Sequence, residues 1–139
     1  PAGRHLPRGV LFLCVHNSAR SQMAEGWARK LLPPSVRVHS AGSQPTSLNP
    51  YAHRVMLEAG LDIGGQKAKG VGEVPLGEVD LVITLCAEEE CPLLPTSVRR
   101  ESWALPDPAA VGGSEKDVED AFRRARDELR RRVESLLTR

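Results

Sequence analysis

The feature that most constrains the fold of this chain is a short loop that contains a cysteine. Residues 14–21 read Cys-Val-His-Asn-Ser-Ala-Arg-Ser, an apolar run at residues 10–13 precedes them, and apolar residues at helical spacing follow from Met23. A strand that turns directly into a helix points several backbone N–H groups at one place, at the positive end of the helix dipole. The loop therefore predicts an anion-binding cradle. Cys14 at its edge predicts a nucleophile, because nearby positive charge favours the thiolate.

The rest of the chain predicts a single α/β domain. Strands are expected at residues 9–13, 36–38, 80–85 and 98–105, and helices at residues 18–32, at residues 50–60 and from Ser114 onward. Strands that alternate with helices favour a four-stranded parallel sheet, here in the order 2-1-3-4, flanked by helices. In this order strand 1 lies at the switch point where ligands bind, and Cys14 lies at its carboxyl end. We expect this domain to span residues 9–139, after a flexible N-terminal extension at residues 1–8.

Composition restricts the class of protein. The 139 residues carry a net charge of +1, which favours neither a nucleic-acid partner nor a membrane surface. No apolar run approaches the ~20 residues of a membrane span. Three cysteines are an odd number, which favours reduced thiols in the cytoplasm over a secreted disulfide scaffold. We expect a cytoplasmic monomer without a cofactor.

Several loop residues have the chemistry that an anion site needs. The guanidinium of Arg20 binds an oxyanion, the hydroxyl of Ser21 hydrogen-bonds the thiolate, and Asn17 tolerates an unusual backbone conformation. The alternative is a buried structural cysteine at a helix start, in which case Arg20 would lack an obvious partner. The expected oxyanion-binding residues are Val15, His16, Asn17, Ser18, Ala19 and Arg20.

Together with residues 22–27, Gln-Met-Ala-Glu-Gly-Trp, the loop resembles that of the low-molecular-weight tyrosine phosphatase superfamily. The three cysteines make the chain most similar to the thioredoxin-coupled arsenate reductases of that superfamily. The resemblance implies a low-molecular-weight phosphatase-like fold and an enzyme of arsenic detoxification that reduces arsenate to arsenite with thioredoxin. The resemblance covers nearly the whole chain from residue 9 and includes Ser40-Ala41-Gly42, Asn49-Pro50, Leu85-Cys86, Cys91-Pro92 and Trp103 through Asp107-Pro108-Ala109.

The resemblance also implies a relay of three thiols. Cys14 attacks arsenic while Asp107 protonates the leaving oxygen, and Cys86 then attacks Cys14. Cys91 attacks Cys86 in turn, and thioredoxin reduces the resulting disulfide. The alternatives are that Cys86 and Cys91 are passive thiols and that Asp107 is only a turn residue before Pro108.

The predicted spacing agrees with this relay. Cys14 and Cys86 end neighbouring strands, which lie ~4.8 Å apart, and a disulfide requires alpha carbons about 4.4–6.8 Å apart. Were residues 86–91 helical, the alpha carbons of Cys86 and Cys91 would be about 7.5 Å apart or more, too far for a bridge. A disulfide between them therefore requires this segment to loop out.

Two positions depart from the family pattern. Some relatives bind potassium through an Asn, a Glu, a Ser and an Asp. Asn17, Glu25 and Ser40 match the first three, but Lys69 occupies the Asp position. The hypothesis is that the Lys69 ammonium replaces the cation, so no metal is expected. His16 replaces a glycine of some relatives and is either an aid to the thiolate or a solvent-facing loop residue.

Two other functions remain open. A tyrosine phosphatase of the same fold would share the loop and the Asp-Pro pair, and would hydrolyse phosphate monoesters through a phosphocysteine. Such enzymes typically carry aromatic residues after this pair, whereas Ala109 and Ala110 follow Pro108 here. A non-enzymatic thiol site for zinc or arsenite is the second alternative, although the chain has no Cys-x2-Cys pair and Arg20 would repel a cation.

Overall fold

A computed structural model describes residues 6–86 and 98–138 of the chain. Its four strands form one parallel sheet in the order β2-β1-β3-β4, which confirms the predicted class and strand order. The strands are β1 Gly9–Cys14, β2 Arg37–Gly42, β3 Leu81–Thr84 and β4 Arg99–Ser102.

Three helices pack on one face of this sheet. The helices are α1 Arg20–Leu31, α2 Pro50–Glu58 and α3 Glu115–Leu136, and single helical turns lie at Val71–Glu73, Leu76–Glu78 and Pro108–Ala110. The side chain of Asn49 accepts a hydrogen bond from the Tyr51 N–H at the start of α2, and Ser114 and Asp117 form the capping box of α3. These local signals placed the helix starts correctly. At its end α2 stops at Glu58, Ala59 is the C-cap, and Gly60 follows with a positive φ of 86°, which confirms Gly60 as the residue that ends the helix.

Three of the expected boundaries were wrong. The second strand was expected only at residues 36–38, but β2 extends to Gly42 because it pairs with β1 up to Cys14 opposite Gly42. Helix α1 begins at Arg20 rather than at Ser18, because residues 15–19 form the loop. Strand β4 is shorter than residues 98–105, and three of its four residues are exposed at the sheet edge.

The core has two layers around the sheet. The face under the helices is filled by large apolar side chains such as Phe12, Trp27 and Phe122. The opposite face is covered by Val74 and Val79 from the segment that contains two of the single helical turns. Among the described residues, no helix combines the length and the apolar character needed to cross a membrane.

The start of the described chain is already attached to the sheet. The N–H of Arg8 donates to the carboxylate of Asp80, and Leu6 packs against the core. Residues 1–5 of the expected flexible extension lie outside the described residues.

Candidate active site

The loop at residues 15–19 is held from its outer side by the segment that follows β2. The Gln44 N–H donates to the Val15 carbonyl at 2.9 Å, the Thr46 N–H to the His16 carbonyl at 3.1 Å and the Asn49 N–H to the Ser18 carbonyl at 2.8 Å. The N–H groups of residues 15–19 donate to no protein acceptor in the described part of the chain. These N–H groups are therefore available to an anion. We call residues 14–20 the oxyanion cradle.

The backbone of this cradle needs two special positions. Asn17 has a left-handed conformation, with φ at 50°, which asparagine tolerates better than most residues. Gly42 at the end of β2 lies directly beneath the loop. A Cβ atom on Gly42 would lie 2.4 Å from the Val15 carbonyl oxygen and 2.9 Å from the Asn17 nitrogen. Only glycine therefore fits at position 42 without moving the loop.

Cys14 is buried, is a free thiol, and has its Sγ 2.9 Å from the Ser21 Oγ. The direction of this hydrogen bond follows from the neighbours. The Asn17 Oδ1 accepts from the Lys69 backbone N–H at 2.8 Å, so the Asn17 Nδ2 faces Ser21 and donates to its Oγ at 2.8 Å. The single hydroxyl proton of Ser21 is then directed at the sulfur, where it stabilises a thiolate.

Arg20 is the cation of the site, and its side chain is only 5% exposed. Its Nη1 donates to the backbone carbonyls of Leu85 at 3.2 Å and Leu105 at 2.9 Å. Its Nη2 lies 3.8 Å from the Asp107 Oδ2. The expectation that Arg20 would lack a partner without an anion was wrong, because the ends of β3 and β4 bring two carbonyl groups to it.

Asp107 caps a turn and also faces the cradle. Its Oδ1 accepts a hydrogen bond from the Ala109 N–H at 2.9 Å and caps the turn, while its Oδ2 faces Arg20. A cavity of about 50 Å³ lies between this turn and the cradle, and it has room for one small anion. A larger cavity of about 460 Å³ lies on the other side of the turn against α3, away from Cys14. The small cavity is lined by Cys14, His16, Ser18, Ala19, Arg20, Asp107 and Ala109.

Cys86 follows β3, the strand that pairs with β1. The Leu85 N–H donates to the Leu13 carbonyl, so Cys86 lies about one residue beyond the level of Cys14 on the next strand. Cys86 is buried and disulfide-bonded, whereas Cys14 is not. Cys91 lies outside the described residues.

A family model described as low molecular weight phosphotyrosine protein phosphatase matches residues 9–139. The chain belongs to this family. It is 46% identical to an arsenate reductase of Bacillus licheniformis over 126 residues, which cover 89% of this chain and 91% of that protein. These findings confirm the resemblance inferred from the loop and the cysteines.

Solved structures of the family have the same fold. An arsenate reductase from Archaeoglobus fulgidus is 34% identical, with a TM-score of 0.80, and the match covers 94% of this chain and 99% of that one. A thioredoxin-dependent arsenate reductase of Corynebacterium glutamicum is 28% identical, with a TM-score of 0.67, over 92% of this chain and 61% of that one.

Two glutamines support the cradle of this family member, and the sequence predicted a role for neither. The Gln22 Nε2 donates to the carbonyls of Asn17 and Lys67, both at 2.9 Å, and the Gln66 Nε2 donates to the Gln22 Oε1 at 2.8 Å. Gln22 is fully buried, so its amide must find these partners inside the protein. The acceptor at Lys67 and the donor at Gln66 lie more than 40 residues away in the chain, so the local pattern around Gln22 carried no signal of this role.

Lys69 lies beside Glu25 and Ser40, two of the residues that match the potassium ligands implied by the resemblance. Its Nζ lies 3.6 Å from the Glu25 Oε1 and 3.4 Å from the Ser40 Oγ, and it donates to the Lys67 carbonyl at 2.7 Å. The Ser40 hydroxyl donates to the same Glu25 oxygen at 2.5 Å. The Arg29 guanidinium lies 2.8 Å from the other Glu25 oxygen. This buried carboxylate therefore already has two cationic partners, so these residues do not fit an additional cation. No cluster of three or more metal-ligating side chains occurs among the described residues.

Proposed function

We propose that this chain reduces arsenate to arsenite by a relay of Cys14, Cys86 and Cys91, with thioredoxin as electron donor, as a cytoplasmic detoxification enzyme. The similar proteins named arsenate reductase support this function. The observation that carries it is the state of two cysteines, one at the end of β1 and the other two residues beyond the end of the neighbouring β3. Cys14 is free in the cradle, whereas Cys86 takes part in a disulfide. A phosphatase needs only the first thiol.

The first step is nucleophilic substitution at arsenic. The N–H groups of residues 15–19 and the guanidinium of Arg20 bind the oxygens of arsenate, and the Ser21 hydroxyl stabilises the attacking thiolate. Cys14 forms a sulfur–arsenic bond as one arsenate oxygen departs with a proton from Asp107. Arsenic remains pentavalent at this stage.

The second and third steps transfer the electrons. The Cys86 thiolate attacks the sulfur of Cys14, and the electron pair of the sulfur–arsenic bond passes to arsenic, which leaves as arsenite. Cys91 then attacks Cys86 and releases the Cys14 thiolate. The dithiol of thioredoxin reduces the disulfide between Cys86 and Cys91 and restores the enzyme.

Single-cysteine variants in an arsenate assay with thioredoxin test this relay. We expect Cys14→Ser, Cys86→Ser and Cys91→Ser each to abolish multiple turnover. Cys91→Ser should still release one arsenite per chain and stop as a disulfide between Cys14 and Cys86, identified by peptide mapping. Repeated turnover by Cys91→Ser would refute the relay.

Hydrolysis of phosphate monoesters is the second candidate. Cys14, Arg20 and Asp107 are the groups that this reaction needs, and the matching family model is that of a phosphatase. Ala109 borders the cavity where an aromatic residue would hold an aryl ring. We therefore expect aryl phosphates to be poor substrates. Turnover of an aryl phosphate that far exceeds arsenate turnover would make this the main activity.

We also propose that the Lys69 ammonium performs the task of the potassium ion of some relatives. It lies beside Glu25 and Ser40, and its own backbone N–H orients Asn17. Arsenate reduction should then be equal in potassium and sodium salts of the same ionic strength. Clear activation by potassium would contradict the proposal.

A further inference from the structure

We propose that Arg20 has a second task beyond oxyanion binding: it positions Cys86 for the attack on Cys14. Arg20 acts here through the backbone on either side of the site, so it is a positioning residue for this step. This inference rests on the proposed relay, because the step it concerns is the transfer from Cys14 to Cys86.

The N–H groups of the guanidinium divide between the two tasks. Nη1 carries two hydrogens, and the carbonyls of Leu85 and Leu105 accept both, at 3.2 and 2.9 Å. Nη1 therefore holds the two carbonyls, and Nη2 is the nitrogen that lies toward Asp107 at the cavity beside the cradle. A planar fork of five donors allows both tasks at once.

The two carbonyl groups belong to residues that lie next to Cys86 and near Asp107 in the chain. Leu85 immediately precedes Cys86, and Leu105 lies two residues before Asp107. Strands β3 and β4 end at Thr84 and Ser102. Beyond the strand ends, the Leu105 N–H donates a hydrogen bond to the Leu85 carbonyl at 3.2 Å. Arg20 Nη1 adds a second link, because it donates to both the Leu85 and the Leu105 carbonyls; we call this link the Nη1 bridge.

Without the Nη1 bridge, the carbonyl groups of Leu85 and Leu105 would lose a hydrogen-bond donor. Leu85 and Leu105 are both buried, and in the described part of the chain only Arg20 donates to the Leu105 carbonyl. A buried acceptor without a donor is unfavourable, so the backbone at Leu85 and Leu105 would shift to find one. A shift of about 1 Å in a reacting group costs on the order of 100-fold in rate.

Arg20→Lys separates the two tasks, because it keeps the positive charge but replaces the fork with a single nitrogen. One ammonium cannot serve an anion and two carbonyls in the guanidinium geometry. Arg126→Lys is the matched control. Arg126 also donates from Nη1 to a backbone carbonyl, that of Val55 at 2.9 Å, but it lies on α3 away from Cys14.

The test uses a disulfide reagent and no arsenate. In a Cys91→Ser background, dithiobis(nitrobenzoate) forms a mixed disulfide with Cys14 and releases one thionitrobenzoate. The Cys86 thiolate then attacks the Cys14 sulfur, forms the disulfide between them and expels a second thionitrobenzoate. The reagent is reduced by two electrons and the two thiols are oxidised. A Cys86→Ser version defines the signal from the first release alone.

We expect Arg20→Lys to slow the second release by about 10- to 100-fold, and Arg126→Lys to leave it within about 2-fold of the parent. If the second release in Arg20→Lys stays within about 2-fold of the parent rate, the inference is overturned. Arsenate reduction by the wild-type protein would in that case still support the proposed function. A parent that releases only one equivalent would refute both.

A measurement on the wild type covers the case in which Arg20→Lys does not fold. Hydrogen bonds from both Nη1 hydrogens hinder rotation of that group. Nuclear magnetic resonance should therefore show two separate Nη1 proton signals for Arg20, with and without inorganic phosphate. One averaged signal in either condition would show that Nη1 is not held by the carbonyls and would overturn the inference.

Discussion

Replacement of Gly42 by alanine is expected to damage the cradle from beneath. The new Cβ would lie 2.4 Å from the Val15 carbonyl oxygen, about 1 Å closer than the ordinary contact limit of 3.4 Å. The Asn17 nitrogen and the Cys14 carbonyl oxygen, both at 2.9 Å, block other directions. The loop must therefore move by about 1 Å, which costs about 100-fold in kcat/KM for arsenate, and the overpacking costs about 1–3 kcal/mol of stability.

Two measurements separate these effects. Urea unfolding gives the loss of stability, and calorimetric titration with inorganic phosphate reports the geometry of the cradle in folded protein. Gly77→Ala is the control, because a Cβ there meets no atom within 4 Å. Gly77 lines a surface cavity with Arg8 and Arg37, away from Cys14.

We expect Gly42→Ala to weaken phosphate binding by at least about 10-fold, and Gly77→Ala to leave it unchanged. A folded Gly42→Ala protein that binds phosphate within about 2-fold of wild type would contradict this prediction. Such a result would mean that the loop adapts to the added methyl group without losing the alignment of its N–H groups.

Other predictions concern the Cys14 thiolate, the ion pair between Glu58 and Arg123, and the Lys69 ammonium. Ser21→Ala should slow alkylation of Cys14 by iodoacetamide at neutral pH by about 10-fold, because a hydrogen bond to a charged group is lost, and Ser21→Thr should retain the wild-type rate. Hydrogen bonds from Arg123 lower the pKa of Glu58 from 4.5 to about 2, so this pair stabilises the fold above pH 4.5 and the effect is lost as the pH falls toward 2. The difference in unfolding free energy between wild type and Arg123→Met should accordingly be present at neutral pH and disappear near pH 2, and an equal difference at both would contradict this origin. Lys69→Asp should unfold at a higher temperature in potassium than in sodium chloride, whereas wild type should not; a potassium effect in wild type alone would reverse the assignment.

The sequence by itself determined the elements that depend on neighbouring residues. The apolar run before Cys14 and the amphipathic segment after it were sufficient to predict strand, cradle and helix. Asn49 before Pro50, and Ser114 before Asp117, marked the two later helix starts through capping that acts within three residues. The parallel strand order followed from the alternation of strands and helices, since crossovers of this kind have few alternatives.

Only the tertiary structure decided which polar groups meet. Arg20 reaches carbonyl groups 65 and 85 residues away in the chain, and Asn17 is oriented by the Lys69 N–H, 52 residues away. The full length of β2 likewise depends on its pairing with β1. Capping and hydrophobic periodicity operate over a few residues, whereas these contacts require strand register and helix packing to be in place. The residue types of the cradle can therefore be identified from residues 14–21 alone. The contacts that hold Asn17 and that bring Arg20 to the Leu85 carbonyl, next to Cys86, arise only when the sheet forms.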